Sequence, residues 1–170
     1  MTPGSSPRKP KRAVPDSAAE VVGMLRSSGE TLAVAESCTG GWLGQEITSI
    51  PGASTSFWGG VIAYDNAAKL SLLSVSLETL ETHGAVSQGT AAEMAAGVAG
   101  LSNATWAVAI TGLAGPAGGT RDKPVGTVCV AVAGPIPLCR TYHLLGGRED
   151  VRRQAVARAL ELLEEALESR

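Results

Sequence analysis

Residues 31–41 read TLAVAESCTGG and decide the fold class, because an apolar run passes directly into a polar turn. Residues 31–35 form a short, continuously apolar segment, which is typical of a strand covered by helices on both faces. The six residues that follow precede a predicted helix and are Glu36, Ser37, Cys38, Thr39, Gly40 and Gly41. A strand that enters a helix through such a turn predicts an α/β protein.

The rest of the chain repeats this alternation of apolar runs and amphipathic stretches. Helices are predicted over residues 16–28, 39–49, 66–73, 87–101 and 148–168, with Asp16 and Ser87 as N-caps. Further strands are predicted over residues 57–64, 106–110, 126–133 and 138–144, and the last two form an antiparallel pair. About five strands with helices on both faces predict a three-layer α/β/α sandwich with a mixed sheet.

The composition suits one domain. The chain has 170 residues, of which 44% are hydrophobic and 18% are charged, as in ordinary globular proteins. Residues 1–15 are rich in proline, serine and basic residues and are predicted to be a disordered tail, which leaves residues 16–170 as the domain. Because the tail holds four basic residues in a chain of net charge −2, the domain itself is acidic. An acidic domain argues against a nucleic-acid partner.

Neither a membrane nor a metal is indicated as a partner. No apolar run approaches the roughly 18–20 residues of a membrane span. Cys38, Cys129 and Cys139 show no CxxC or Cys/His spacing, and His83 and His143 lie far apart. An odd number of cysteines in a chain without a secretory signal favours reduced thiols and a cytoplasmic location.

The turn after the first strand is the first candidate for chemistry. Backbone amides at a helix N-terminus are unpaired, so they form a natural site for an anion or an oxyanion. Ser37 would present its hydroxyl there, at the carboxyl end of the sheet, where ligands bind in α/β folds. The alternative is that Ser37 or Thr39 only caps the helix.

The segment YDNAAK, residues 64–69, is the second candidate. A lysine in a poorly solvated site loses its proton more easily, so Lys69 is a candidate base and the Tyr64 hydroxyl a candidate proton relay. The alternative is a surface lysine, a tyrosine at a sheet edge, and Asn66 as a helix N-cap. A short-chain dehydrogenase is disfavoured, because its Tyr-x-x-x-Lys spacing and a GxGxxG fingerprint are both missing.

The third candidate is the loop TGLAGPAGGTRDKP, residues 111–124. Glycines at this density allow main-chain amides to surround a phosphate or a sugar. The loop is not a P-loop, because no Gly-Lys-[Ser/Thr] follows it at the start of a helix. A surface loop without a ligand remains the alternative.

Two further features concern charge. Cys38 stands at a predicted helix N-terminus, where its thiol pKa is expected to be lowered. Arg148, Arg152 and Arg153 begin the last helix, at the end where the dipole disfavours cations. Their placement indicates a phosphate or carboxylate partner, a solvated turn or an oligomer contact.

Five motifs in register resemble the CinA C-terminal domain family, which includes stand-alone nicotinamide mononucleotide amidohydrolases. The motifs are AESCTGG (35–41), PGAS…GGVIAYDNAAK (51–69), HGAVS (83–87), ITGLAGPAGGT (110–120) and KPVGTV (123–128). The resemblance implies an α/β/α fold and hydrolysis of the nucleotide carboxamide to nicotinic acid mononucleotide and ammonia, without a cofactor or metal. It implies Ser37 as the nucleophile, assisted by Lys69 and Tyr64.

The resemblance implies Thr111 as a ligand contact, and we predict a larger set of substrate contacts around the three candidate segments and the last helix. These are Glu36, Cys38, Thr39, Gly40, Gly41, Asn66, Thr111, Gly112, Ala114, Gly115 and Arg148. The phosphate is expected against the glycine amides of the loop or against Arg148. The chain is expected to be too short for the extra N-terminal domain of two-domain members.

Two other functions stay open, and one assembly is expected. The first alternative is a nucleotide-binding regulatory module of the competence/damage-inducible type without turnover. The second is the same serine chemistry on another amide. A homodimer or a higher homo-oligomer is expected.

Overall fold

The computed structural model describes residues 13–170, and its first helix begins earlier than predicted. Helix α1 spans Val14–Ser28 with Ala13 as its N-cap, so the prediction of Asp16 as N-cap is wrong. Proline is tolerated in a first turn because the amide that it lacks has no partner there, and Pro15 occupies that turn. Most of the predicted disordered tail, residues 1–12, lies outside the described residues.

Five strands of residues 13–170 form one mixed sheet, as predicted. They are β1 (Leu32–Glu36), β2 (Phe57–Ile62), β3 (Trp106–Gly112), β4 (Thr127–Ala133) and β5 (Leu138–His143). The strand order is β2-β1-β3-β4-β5. Strand β1 is parallel to both β2 and β3, whereas β4 is antiparallel to β3 and to β5. The carboxyl ends of β1, β2 and β3 therefore meet at one edge of the sheet.

The five further helices are α2 (Trp42–Thr48), α3 (Asn66–Leu73), α4 (Leu77–His83), α5 (Gln88–Ser102) and α6 (Arg148–Glu168). Helix α4 was not predicted, although Ser76 caps it by accepting a hydrogen bond from the Thr79 amide. Helix α2 begins three residues later than predicted, because Gly40 and Gly41 adopt positive φ angles of 60° and 101° and form a turn. Ser87 caps α5, as predicted.

The two faces of the sheet carry side chains of different size. One face is lined by large apolar residues such as Val34, Val108 and Val130, which pack under α1, α2 and α6. The other face is lined by Ala33, Ala107 and other small residues, and α3, α4 and α5 pack on it. Small side chains on a sheet let an alanine-rich helix such as α5 approach closely, so the three-layer sandwich is asymmetric.

Substitution of Gly97 tests the close contact between α3 and α5. A Cβ at Gly97 would lie 1.9 Å from the Leu73 carbonyl oxygen, and that backbone atom cannot rotate away. Gly97→Ala is therefore expected to lower the free energy of unfolding by about 2–3 kcal/mol. Gly100 on the same helix has no atom within 4 Å of such a Cβ, so Gly100→Ala is expected to stabilise by about 0.5–1 kcal/mol. Urea unfolding measures both variants, and equal effects of the same sign would contradict this packing.

Candidate active site

A cavity of about 270 Å³ lies at the carboxyl ends of β1, β2 and β3. Ser37 follows β1 directly, Tyr64 follows β2, and Thr111 and Gly112 end β3. Lys69, in the first turns of α3, and Arg148, at the start of α6, also contribute polar side chains to the lining. Parallel strands bring these segments together although they are far apart in sequence, as at the ligand crevices of other α/β sheets.

Lys69 and Ser37 form a buried hydrogen-bonded pair in this cavity. The Lys69 Nζ lies 3.0 Å from the Ser37 Oγ. It also donates to the carbonyl oxygens of Ala63 at 2.8 Å and Tyr64 at 3.1 Å. Lys69 is 1% exposed and Ser37 is 7% exposed. The lysine amine is therefore fixed in position by three contacts and has little access to water.

The surroundings of Lys69 favour its neutral form. Burial lowers the pKa of its amine from the ordinary value of 10.5, and the weaker influence of Cys38 and Asp65 opposes that shift. A neutral amine has two N–H groups and one lone pair. In the neutral form the two carbonyl oxygens can take the two N–H groups, and the lone pair is then available to accept the proton of the Ser37 hydroxyl. The poorly solvated lysine predicted from the sequence is thus present, and its geometry is that of a general base beside a serine.

Replacement of Lys69 tests the lowered pKa through protein stability. Between the folded-state pKa and about 10.5, the unfolded chain binds a proton at this amine that the folded chain does not bind. The free energy of unfolding of the wild type therefore rises with pH in this window, by at most about 1.4 kcal/mol per pH unit. Lys69→Met has no titrating amine at this position, so its free energy of unfolding lacks this dependence on pH. Urea unfolding of both proteins at about pH 7 and about pH 9.5 is expected to show the wild type gaining relative to Lys69→Met, and a difference that does not change with pH would contradict the lowered pKa.

Glu36 caps helix α2 and does not line the cavity, which corrects its predicted role as a substrate contact. Its carboxylate accepts hydrogen bonds from the Thr39 hydroxyl at 2.6 Å and from the amides of Gly41 and Leu43 at 3.1 Å each. The Gly44 amide adds a fourth bond at 2.9 Å. The carboxylate thus satisfies the unpaired amides of the helix, a role that the sequence had suggested for Ser37 or Thr39.

Cys38 is a protonated thiol, so the predicted lowering of its pKa is wrong. Burial raises the pKa of this thiol to about 11, and the carboxylate of Glu36 adds to the rise. Cys38 also precedes α2 by a turn of three residues and is not at the helix N-terminus itself. At neutral pH the thiol is therefore a poor nucleophile compared with a thiolate.

Tyr64 and Arg148 lie at the mouth of the cavity. The Tyr64 side chain is 61% exposed, and its hydroxyl accepts a hydrogen bond from Arg148 at 3.1 Å. Within residues 13–170 that hydroxyl makes no hydrogen bond to Lys69 or Ser37, so the predicted proton relay lacks its contact. Arg148 also donates to the Gly115 carbonyl at 2.7 Å, which places its guanidinium beside the glycine-rich loop.

A sequence model described as the CinA C-terminal domain matches residues 15–167. The chain belongs to the CinA C-terminal domain family. A CinA-like protein of Synechococcus elongatus is 54% identical over 89% of this chain and 37% of that protein. A CinA-like protein of Trichormus variabilis is 51% identical over 91% of this chain and 38% of that protein. The chain thus spans well under half the length of these curated relatives.

Solved structures of the CinA superfamily share the fold. The competence/damage inducible protein CihA of Agrobacterium tumefaciens has a TM-score of 0.85 and 38% identity, over 90% of this chain and 94% of that chain. A CinA superfamily protein of Klebsiella pneumoniae has a TM-score of 0.89 and 34% identity, over 94% of this chain and 100% of that chain. These likenesses confirm the α/β fold and the family predicted from the sequence.

The structure brings together only part of the site that the CinA resemblance implied. Besides Ser37, Tyr64 and Lys69, six predicted binding residues line the cavity: Cys38, Thr111, Gly112, Ala114, Gly115 and Arg148. The Thr111 hydroxyl donates to the Ala85 carbonyl at 2.7 Å. Its side chain therefore joins the end of β3 to the segment before α5.

Five predicted contacts do not line the cavity: Glu36, Thr39, Gly40, Gly41 and Asn66. The Thr39 hydroxyl is bonded to Glu36, and the two glycines form the turn before α2. Asn66 is exposed on α3. Asp65, not Asn66, caps that helix by accepting a hydrogen bond from the Ala67 amide at 2.7 Å.

Four lining residues were not predicted: Ala85, Val86, Leu113 and Ala117. The CinA motifs HGAVS and ITGLAGPAGGT contain all four, but their side chains are apolar and show no chemistry in a sequence. Residues 13–170 hold no cluster of His, Cys, Asp or Glu that could bind a metal ion. Among the same residues, no helix has both the length and the apolar character needed to cross a membrane.

Proposed function

We propose that this chain hydrolyses the carboxamide of nicotinamide mononucleotide to nicotinic acid mononucleotide and ammonia. The observation that carries the proposal is the buried contact of 3.0 Å between the Lys69 amine and the Ser37 hydroxyl. Amide hydrolysis needs an activated nucleophile and a site for the oxyanion. The choice of this amide rests on the resemblance to the family.

In the acylation half of the reaction, neutral Lys69 accepts the proton of the Ser37 hydroxyl while the serine oxygen attacks the carboxamide carbon. Backbone amides of the turn after Ser37 stabilise the oxyanion of the tetrahedral intermediate. Lys69 then gives its proton to the leaving nitrogen, the C–N bond breaks, and ammonia departs. The product of this half is an ester between Ser37 and the pyridine carboxyl group.

In the deacylation half, a water molecule attacks the ester carbon and gives a proton to Lys69. The bond between the carbon and the Ser37 oxygen breaks, and Lys69 returns the proton to that oxygen. The carboxylic acid that forms ionises and leaves. Each half therefore uses Lys69 once as a base and once as an acid.

Charge at the mouth of the cavity supports a phosphorylated substrate. Arg148 lies at the mouth and is held by the Tyr64 hydroxyl and the Gly115 carbonyl. A guanidinium binds phosphate oxygens through two parallel hydrogen bonds, and the backbone amides of the glycine-rich loop are close to it. We assign the substrate phosphate to a site formed by Arg148 and these loop amides.

The proposal extends to the cellular location, the cofactor requirement and the partners that were predicted from the sequence. The chain acts in the cytoplasm without a cofactor or a metal, assembles as a homodimer or a higher homo-oligomer, and binds neither nucleic acid nor membrane. Its three cysteines are free thiols, which suits a reducing compartment.

The test is release of ammonia from nicotinamide mononucleotide by the purified protein in the presence of a chelator, with nicotinic acid mononucleotide identified as the second product. Free nicotinamide is the comparison substrate, and it is expected to react far more slowly because it lacks the phosphate. A folded protein that binds the nucleotide unchanged would refute the amidohydrolase and support the regulatory module. Equal turnover of nicotinamide would show that the serine chemistry serves another amide.

A further inference from the structure

We infer that Arg152 is a positioning residue, which holds the turn that carries Ser37 and polarises the peptide groups beside it. The inference rests on the proposed function, because it gives Arg152 a role in the same serine chemistry. Arg152 does not line the cavity. Its effect therefore has to pass through the turn of residues 37–41.

Arg152 reaches from the second turn of α6 to the turn after β1. Its Nε donates to the Cys38 carbonyl at 3.0 Å, and its Nη2 donates to the Thr39 carbonyl at 3.1 Å. The guanidinium also lies 5.4 Å from the centroid of the Trp42 ring. The planar guanidinium thus donates to two consecutive carbonyl groups at once. The ammonium of a lysine, on a flexible side chain, cannot reproduce this fixed geometry.

Within residues 13–170, Arg152 has no carboxylate partner, unlike Arg153 and Arg158 on the same helix. Arg153 pairs with Asp150 at 3.0 Å, and Arg158 pairs with Glu161 at 2.6 Å. Arg152 is half-buried and near the helix N-terminus, where burial and the helix dipole both disfavour a cation. A cation at this position therefore destabilises α6 by itself. Among the described residues, the guanidinium has its hydrogen bonds and its ring contact with the turn and with Trp42.

The carbonyl groups of Cys38 and Thr39 accept hydrogen bonds from Arg152, and the amides of the same two peptide groups point away from it. In a trans peptide the C=O and the N–H point in opposite directions, so the amides of Thr39 and Gly40 point away from Arg152. The Gly40 amide donates to the Ser37 carbonyl at 3.1 Å, and the Thr39 amide has no acceptor within residues 13–170. A cation at a carbonyl oxygen polarises the peptide group and strengthens its N–H as a donor. Arg152 thereby fixes the turn that carries Ser37 and polarises the two peptide groups that follow Cys38.

Kinetics of Arg152→Met and Arg152→Lys test this role, with Arg153→Met as the matched control on the exposed side of the same helix turn. Arg152→Met is expected to lower kcat by about 10- to 100-fold, which is a smaller loss than removal of a direct oxyanion donor causes. Its KM is expected to stay within about twofold of the wild-type value. Arg152→Lys is expected to fall between this variant and the wild type, and Arg153→Met to match the wild type. A kcat of Arg152→Met within about twofold of wild type, or an equal loss in Arg153→Met, would overturn the inference.

A second readout is the rate at which a fluorophosphonate labels Ser37, measured well below the melting temperature. In this reaction the serine oxygen bonds to phosphorus, the P–F bond breaks, and Lys69 takes the proton, so no nucleotide substrate is needed. Slower labelling of Arg152→Met than of Arg153→Met supports the inference, and equal rates overturn it. This holds even if the wild type releases no ammonia from the nucleotide, which would refute only the proposed substrate. If Arg152→Met does not fold, Arg152→Lys and Arg152→Gln decide the same comparison.

Discussion

Lys69→Met is expected to lower kcat for ammonia release by at least about a thousand-fold, because within residues 13–170 it removes the only group in contact with the Ser37 hydroxyl that can accept its proton. Binding of the nucleotide, measured by calorimetry, is expected to persist, since the substitution does not change the proposed phosphate site at Arg148. Lys69→Arg is expected to be equally inactive, because a guanidinium stays protonated. Steady-state turnover and binding of the two variants beside the wild type check this prediction.

The pH profile of the wild type makes the same test without a substitution. The base must be neutral, so kcat/KM is expected to rise with pH through the Lys69 pKa, which burial holds below 10.5. Turnover of Lys69→Met within about tenfold of the wild type would contradict Lys69 as the base. So would a wild-type profile that shows no rise at all between about pH 6 and about pH 10.

Glu36→Ala is expected to have the largest effect on stability, a loss of at least about 3 kcal/mol in the free energy of unfolding. The buried carboxylate, 1% exposed, is the acceptor for three backbone amides and the Thr39 hydroxyl. Each buried amide that is left without an acceptor costs about 1–3 kcal/mol. Urea unfolding monitored by circular dichroism measures the loss.

Two comparison variants separate this effect from ordinary capping. Glu36→Gln keeps one acceptor oxygen and is expected to lose less than Glu36→Ala. Asp65→Ala removes a carboxylate that caps α3 through one hydrogen bond and is exposed, so it is expected to cost only about 1 kcal/mol. Equal losses for Glu36→Ala and Asp65→Ala would show that the buried hydrogen bonds to Glu36 add nothing to the free energy of unfolding beyond ordinary capping.

The fold was largely predictable because its elements have strong local signals. The buried strands at 31–35 and 106–110 are continuous apolar runs, and α6 has the spacing of an amphipathic helix over its whole length, Arg148–Glu168. Helix α4 was missed because it has only seven residues, LETLETH, with few apolar positions. Short helices depend on tertiary contacts more than on their own sequence.

The candidate site was predictable as a set of segments but not as a set of contacts. Ser37 and Lys69 are 32 residues apart in sequence, and the parallel pairing of β1 with β2 brings them together. A motif does not fix the direction of a side chain in a turn, so Glu36 and Thr39 were predicted as substrate contacts although they bond to each other. The predicted helix position likewise gave the wrong direction for the pKa of Cys38, because α2 begins at Trp42 and burial raises the pKa of the thiol.

The most direct test of the central claim is ammonia release from nicotinamide mononucleotide by wild type, Ser37→Ala and Cys38→Ala, assayed together. The serine mechanism predicts turnover by the wild type and a loss of at least about a thousand-fold in Ser37→Ala. Cys38→Ala is expected to keep most of the activity, because the protonated thiol of Cys38 is not the nucleophile. Turnover by Ser37→Ala close to that of the wild type would contradict the serine mechanism. Loss in Cys38→Ala with activity kept in Ser37→Ala would transfer the role of nucleophile to the thiol.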